Sequence, residues 1–76
     1  MKVDEKLDCL GLYCPEPVFR TRKELDKLSV GQVLEVIADD PAAEGDIKRL
    51  TKRLDQQLLQ IRKEKDEFHF FIKKVK

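Results

Sequence analysis

Pro15 and Pro17 stand two residues apart, directly ahead of apolar side chains that recur at helical spacing. Proline is tolerated in the first helical turn, where amide hydrogens lack intrahelical partners anyway, but not further in. Val18, Thr21, Leu25 and Leu28 then fall on one face. The pattern predicts a helix from Pro15 to Leu28, with its start fixed by the prolines. Residues 5–10, ending at Gly11, read as a strand before it, and Gly31 closes the turn after it.

The rest of the chain repeats this order once and then changes. Gln32 to Ala38 carries Val33, Leu34, Val36 and Ile37, apolar on both faces, which suits an interior strand. Asp40 followed by Pro41 reads as a helix N-cap with proline at the first helical position. Ala43, Ile47, Leu50 and Leu54 form the apolar stripe of a second helix. Gly45 inside it costs about 1 kcal/mol against alanine, so a start at Asp46 is an alternative. Leu58 to Arg62 reads as a third strand and Lys63 to Asp66 as a tight turn. Glu67 to Val75 is a fourth strand, with Phe68, Phe70 and Ile72 alternating onto one face.

The order is βαβαββ. Two strands joined through a helix are expected to be parallel, and the last two to form a hairpin. Two helices must cover one sheet face, so the expected fold is α+β: a two-layer α/β sandwich with a four-stranded mixed sheet. Residues 1–76 read as one domain. A chain of 76 residues buries only about 60% of its unfolded surface. Its core is thin, and any site is expected to be shallow and to work by docking against other molecules.

Charge narrows the function classes. Residues 1–46 hold 6 basic and 11 acidic side chains, whereas residues 47–76 hold 10 and 4. The basic half, with Lys48, Arg49, Lys52 and Arg53 on the second helix, could meet an acidic protein or a nucleic acid, or be a solvated face. No apolar run approaches a membrane span, and Met1-Lys2-Val3-Asp4-Glu5 has no apolar signal core. A cytoplasmic setting is expected. Two cysteines and one histidine do not make a zinc pattern, so neither a metal nor a cofactor is expected. His69, on the face opposite Phe68 and Phe70, reads as a surface residue.

Cys14 is the candidate chemical group. It immediately precedes Pro15, which places it at the N-cap of the first helix. There, unpaired amides and the helix dipole favour the thiolate, the form in which cysteine reacts. Glu16 opposes this, so a moderately activated thiol is expected. The alternative is a small apolar residue packed beside a helix start. Gly11 and the loop to Tyr13 favour exposure of the thiol.

The segment Leu7-Asp8-Cys9-Leu10-Gly11-Leu12-Tyr13-Cys14-Pro15-Glu16-Pro17 resembles the signature of the TusA, or SirA-like, family of sulfur carriers. Ile37-Ala38-Asp39-Asp40-Pro41-Ala42 is similar to that family's strand-to-helix loop. The resemblance spans nearly the whole chain in length and element order. It implies that Cys14 accepts sulfur as a persulfide and relays it, within a scaffold of Gly11, Pro15, Glu16 and Pro17. It further implies a cysteine desulfurase or rhodanese-like donor and a downstream acceptor protein, serving tRNA thiolation, molybdenum-cofactor maturation or another sulfur-transfer pathway. Phe19, Arg22 and Asp40 match positions that meet a donor. A monomer that touches neither membrane nor nucleic acid directly is expected. Cys9 reads as core, or else as a second thiol that pairs with Cys14. The rival functions are a nucleic-acid-binding or regulatory module using the basic helix, and a Cys9/Cys14 redox protein.

Overall fold

The computed structural model describes residues 2–76. Its elements are β1 (Glu5–Cys9), α1 (Glu16–Lys27), β2 (Val33–Ala38), α2 (Ala43–Arg53), β3 (Gln57–Glu64) and β4 (Glu67–Lys73). The sheet order is β1-β2-β4-β3. β1 pairs parallel to β2, while β4 pairs antiparallel to both β2 and β3. This is the expected open, mixed sheet with both helices packed on one face. The two interior strands are those richest in apolar and β-branched residues, β2 and β4, which have neighbours on both sides.

The core lies between sheet and helices. Leu34, Val36 and Ala38 of β2 and Phe70 and Ile72 of β4 point into it, against Leu25 and Leu28 from the first helical segment and Ile47 and Leu50 from α2. The predicted stripes are therefore the buried ones. Thr21 is fully buried on the α1 stripe, and the Phe68 and Phe70 rings lie parallel, 6.0 Å apart, on the helix side of the sheet. Phe70 is fully buried and Phe68 packs half-buried against the same core, so the pair serves the core rather than an open platform for nucleic-acid bases.

Two of the boundaries that differ from expectation have a clear physical reason. α2 begins at Ala43, not at Pro41, because the Asp40 carboxylate and carbonyl take the amides of Ala42 and Ala43 in a turn ahead of the helix. Gly45 lies within α2, as the apolar stripe implied, and the alternative start at Asp46 is not taken. β3 runs on to Glu64, leaving only Lys65 and Asp66 as the turn, with Lys65 at φ 52°. Those extra residues are charged and give no apolar alternation, but the hairpin ladder holds them, and Lys63 also reaches Glu44 on α2 at 3.2 Å.

His69 is a correction. It sits on the face away from the helices, as expected, but it is 8% exposed rather than a surface residue. Its Nδ1 lies 2.7 Å from Glu35 Oε2, itself buried. Beside it Phe71 is buried under the Arg62 guanidinium, 5.6 Å from the ring centroid. No helix of the described residues is long and apolar enough to cross a membrane.

Candidate functional site

Parallel pairing of β1 with β2 puts Cys9 and Ala38, the last residue of each strand, side by side. The loops that follow them therefore meet at one end of the sheet, the end at which α/β folds build their sites. Two adjacent carboxylates tie these loops together. Asp39 Oδ1 accepts the Gly11 amide at 3.0 Å. Asp40 Oδ2 accepts the Cys14 amide at 2.8 Å while its Oδ1 accepts that of Ala42 at 3.0 Å. Gly11 has φ +79°, a conformation that suits glycine because it has no Cβ to clash. The two sequence motifs are thus one structural unit, in which the second motif holds the backbone of the first.

This unit presents Cys14. The N-cap position of α1 is occupied by Pro15, so Cys14 stands one residue further out than expected, in a turn closed by the Glu16 amide to the Tyr13 carbonyl at 2.9 Å. The Cys14–Pro15 peptide is cis. Pro17 is fully buried and anchors the first turn. The Cys14 side chain is exposed and borders a shallow groove of about 140 Å³, walled by Pro15 and Val18 of the first segment and by Asp46, Arg49, Leu50 and Arg53 of α2. Among the described residues no group of acidic, cysteine or histidine side chains is placed to hold a metal ion.

The acidity of the thiol is opposite to expectation. Its pKa is raised, not lowered: the Asp46 carboxylate on the same groove favours the protonated thiol, desolvation adds to this, and the negative charges of Asp46 and Asp40 reinforce it against the opposing Arg49. The helix-terminus argument fails because Cys14 lies outside the cap while the carboxylates of Asp46 and Asp40 act on it. Glu16 is not among the groups acting on the thiol; it pairs instead with Arg20 at 3.4 Å.

The other predicted residues are placed unequally. Asp40, expected as a partner contact, is 9% exposed with both carboxylate oxygens engaged, so it anchors the loop from beneath. Phe19 is 61% exposed. It faces a separate groove of about 380 Å³ along the edge of β1, shared with Leu7, Glu16, Arg20 and Lys23. Arg22 is exposed and lines neither groove. Cys9 is fully buried at the end of β1, and both cysteines are free. On α2, Lys48 is paired with Glu44 and Arg49 with Asp46, so half of the predicted basic cluster is neutralised in place.

Sequence reasoning missed four residues. Asp39 ties the Gly11 loop, and Asp46 acts on the thiol; the first was legible only as punctuation and the second only as a solvated helix residue. Leu10 and Tyr13, 40% and 72% exposed, add apolar surface to the loop that leads to Cys14. Their signal was present in the motif itself, as large apolar residues in a loop too short to bury them.

The comparisons with known proteins bear on the fold and the family. The profile of the family described as Sulfurtransferase TusA matches residues 5–74. A protein of Archaeoglobus fulgidus to which a sulfur-carrier role is ascribed is 49% identical over 71 residues, covering 93% of this chain and 92% of its own. The sulfur carrier protein TusA of Allochromatium vinosum is 44% identical over 71 residues, covering 93% of each chain. The crystal structure of a SirA-like protein from Desulfitobacterium hafniense superposes with a TM-score of 0.83 at 24% identity, over 95% of this chain and 99% of that one, and shows the same fold. The chain belongs to the TusA family.

Proposed function

We propose that this protein is a sulfur carrier whose cargo is a persulfide on Cys14, accepted from one protein and delivered to another. The observation that carries the reading is the exposed thiol on a loop fixed from below by Asp39 and Asp40. The carboxylates near it raise its pKa and do not make it a self-sufficient nucleophile, and a shallow groove cannot enclose a small substrate. Sulfur exchange needs neither. The Cys14 thiolate attacks the terminal sulfur of a donor persulfide, a new Sγ–S bond forms, and the donor S–S bond breaks. The electron pair leaves with the donor cysteine as its thiolate, which takes up the proton that Cys14 gave up. One thiol and one persulfide go in, one of each comes out, and delivery is the same step with the acceptor's thiolate attacking.

The setting that supports this is a protein–protein one. Leu10 and Tyr13 before Cys14 in the chain and Phe19 after it expose apolar surface, the composition of an interface core rather than of free surface. A cysteine desulfurase or rhodanese-like enzyme as donor and a thiol-bearing acceptor protein, in the cytoplasm, fit that surface. The groove beside the thiol is too small for a folded partner to enter, so donor and acceptor must meet the same rim in turn.

The test is loading. Incubation with a cysteine desulfurase and cysteine adds one sulfur atom to the wild-type chain by intact mass, and Cys14→Ser abolishes the gain. A full gain in Cys14→Ser overturns the reading.

A further inference from the structure

Asp46, Arg49, Leu50 and Arg53 are spaced to share one face of α2, and this face is one wall of the groove beside Cys14. The wall is graded in charge: a carboxylate in the first turn of the helix, then guanidinium groups one and two turns further on. Asp46 and Arg49 are joined as an ion pair. The position of Arg49 is helped by an otherwise unfavourable residue. A Cβ at Gly45 would lie 3.3 Å from Arg49 Nη1 and 3.6 Å from Nη2, so the guanidinium is folded back over the glycine while its outer side stays open to solvent.

We propose that this wall is a charge switch that distinguishes the empty carrier from the loaded one: Asp46 holds the thiol proton of empty Cys14, and Arg49, with Arg53 behind it, receives the negative terminal sulfur of the loaded form. The proposal rests on Cys14 being the persulfide site. The second sulfur extends the side chain by about 2 Å, one S–S bond. A persulfide is a stronger acid than its parent thiol, so the loaded group releases its proton to solvent and carries its charge on that outer sulfur. The groups that face it are Asp40 from beneath the loop and Asp46, Arg49 and Arg53 from α2; Glu16 on α1 is held by Arg20. The raised thiol pKa, caused first by Asp46 and opposed by Arg49, agrees with the two assigned roles. The consequence is chemical selectivity. The empty carrier resists stray oxidation and alkylation as a neutral thiol, and the loaded one keeps its sulfur as a stabilised anion until an acceptor displaces Arg49.

Two measurements on the intact chain test this. The first is the rate of Cys14 alkylation by iodoacetamide against pH. Asp46→Asn moves the midpoint to lower pH and raises the neutral-pH rate several-fold; Arg49→Gln moves it to higher pH, and Arg49→Lys restores it. An Asp46→Asn midpoint equal to that of the wild type overturns the Asp46 role. The second is retention of sulfur after loading with inorganic polysulfide, from which the Cys14 thiolate displaces a shorter polysulfide. The doubly substituted Arg49→Gln, Arg53→Gln chain loses its added sulfur several-fold faster than the wild type; equal retention overturns the arginine role. Gly45→Ala, which keeps both charges and favours the helix, shows faster loss as well if the guanidinium position matters, and unchanged loss counts against it. If wild-type Cys14 takes up no sulfur at all, the persulfide reading fails, while the alkylation profile still decides whether Asp46 governs the thiol.

Discussion

Cys9 and Cys14 lie on either side of one short loop and have nothing in common but their side chain. Cys9 ends β1 opposite Ala38 and is fully buried; Cys14 is exposed at the tip of the loop that follows. Both thiols are pushed up from their ordinary value, Cys9 first by burial and Cys14 first by the Asp46 carboxylate. The comparison separates two kinds of inertness. That of Cys9 is steric and belongs to the fold, so only unfolding relieves it. That of Cys14 is electrostatic and local, so a docking partner or a single substitution can relieve it. A carrier needs the second kind: a thiol that is quiet alone and reactive when met.

The largest expected contrast is in function. Cys9→Ala loads sulfur as fully as the wild type when followed by intact mass, whereas a dependence on both cysteines would break the comparison and favour a redox pair. Next is labelling. In the native protein iodoacetamide reaches Cys14 but not Cys9, whose protection equals the global unfolding equilibrium, about a thousandfold or more for a domain of ordinary stability. Peptide mapping of a timed reaction measures both rates, and comparable rates would mean that the end of β1 opens readily.

Smaller effects sharpen the picture of the loop. Asp40→Ala leaves the Cys14 and Ala42 amides without their partner and is expected to cost about 1–3 kcal/mol. For a domain of this size each kcal/mol lowers the melting temperature by roughly 4–8 °C. The same variant loads more slowly because Cys14 is no longer held out, which separates an anchor from a mere partner contact. The smallest effect is at alkaline pH. Above about 8.5 an unfolded thiol gives up its proton. Folded Cys9, with its raised pKa, keeps its proton there, so the folded state binds more protons and stability falls as pH rises. Melting curves at neutral and alkaline pH are expected to converge in Cys9→Ala relative to the wild type.

The sequence already showed much of this, in the places where one residue type has one physical use. Pro15 and Pro17 mark the start of α1, the apolar stripes mark the buried helix faces, and a two-sided apolar run marks β2 as an interior strand. Cys14 stands out by its place before the prolines. What stayed hidden depended on partners distant in the chain. Asp39 and Asp40 look like turn residues and a helix cap until parallel strands bring them under Gly11 and Cys14. His69 looks like a polar strand residue until Glu35 is brought 2.7 Å from it. Asp46 and Arg49 look like an ordinary solvated pair, and only the packing of α2 beside the loop turns them toward the thiol. Helix-end electrostatics gave the wrong sign for Cys14 for the same reason: the local term was visible and the long-range carboxylates were not.

The central claim is that sulfur resides on Cys14 and nowhere else. Both cysteines fall within the segment from Leu7 to Arg20 that trypsin releases, so mass alone does not separate them. The decisive measurement is fragmentation of that peptide from the wild-type protein, loaded by a desulfurase with cysteine and capped by alkylation. The account predicts the additional sulfur on fragments that contain Cys14, with Cys9 carrying the plain alkyl group only after unfolding. Additional sulfur on Cys9, or a bridge between the two cysteines in place of a persulfide, would contradict it.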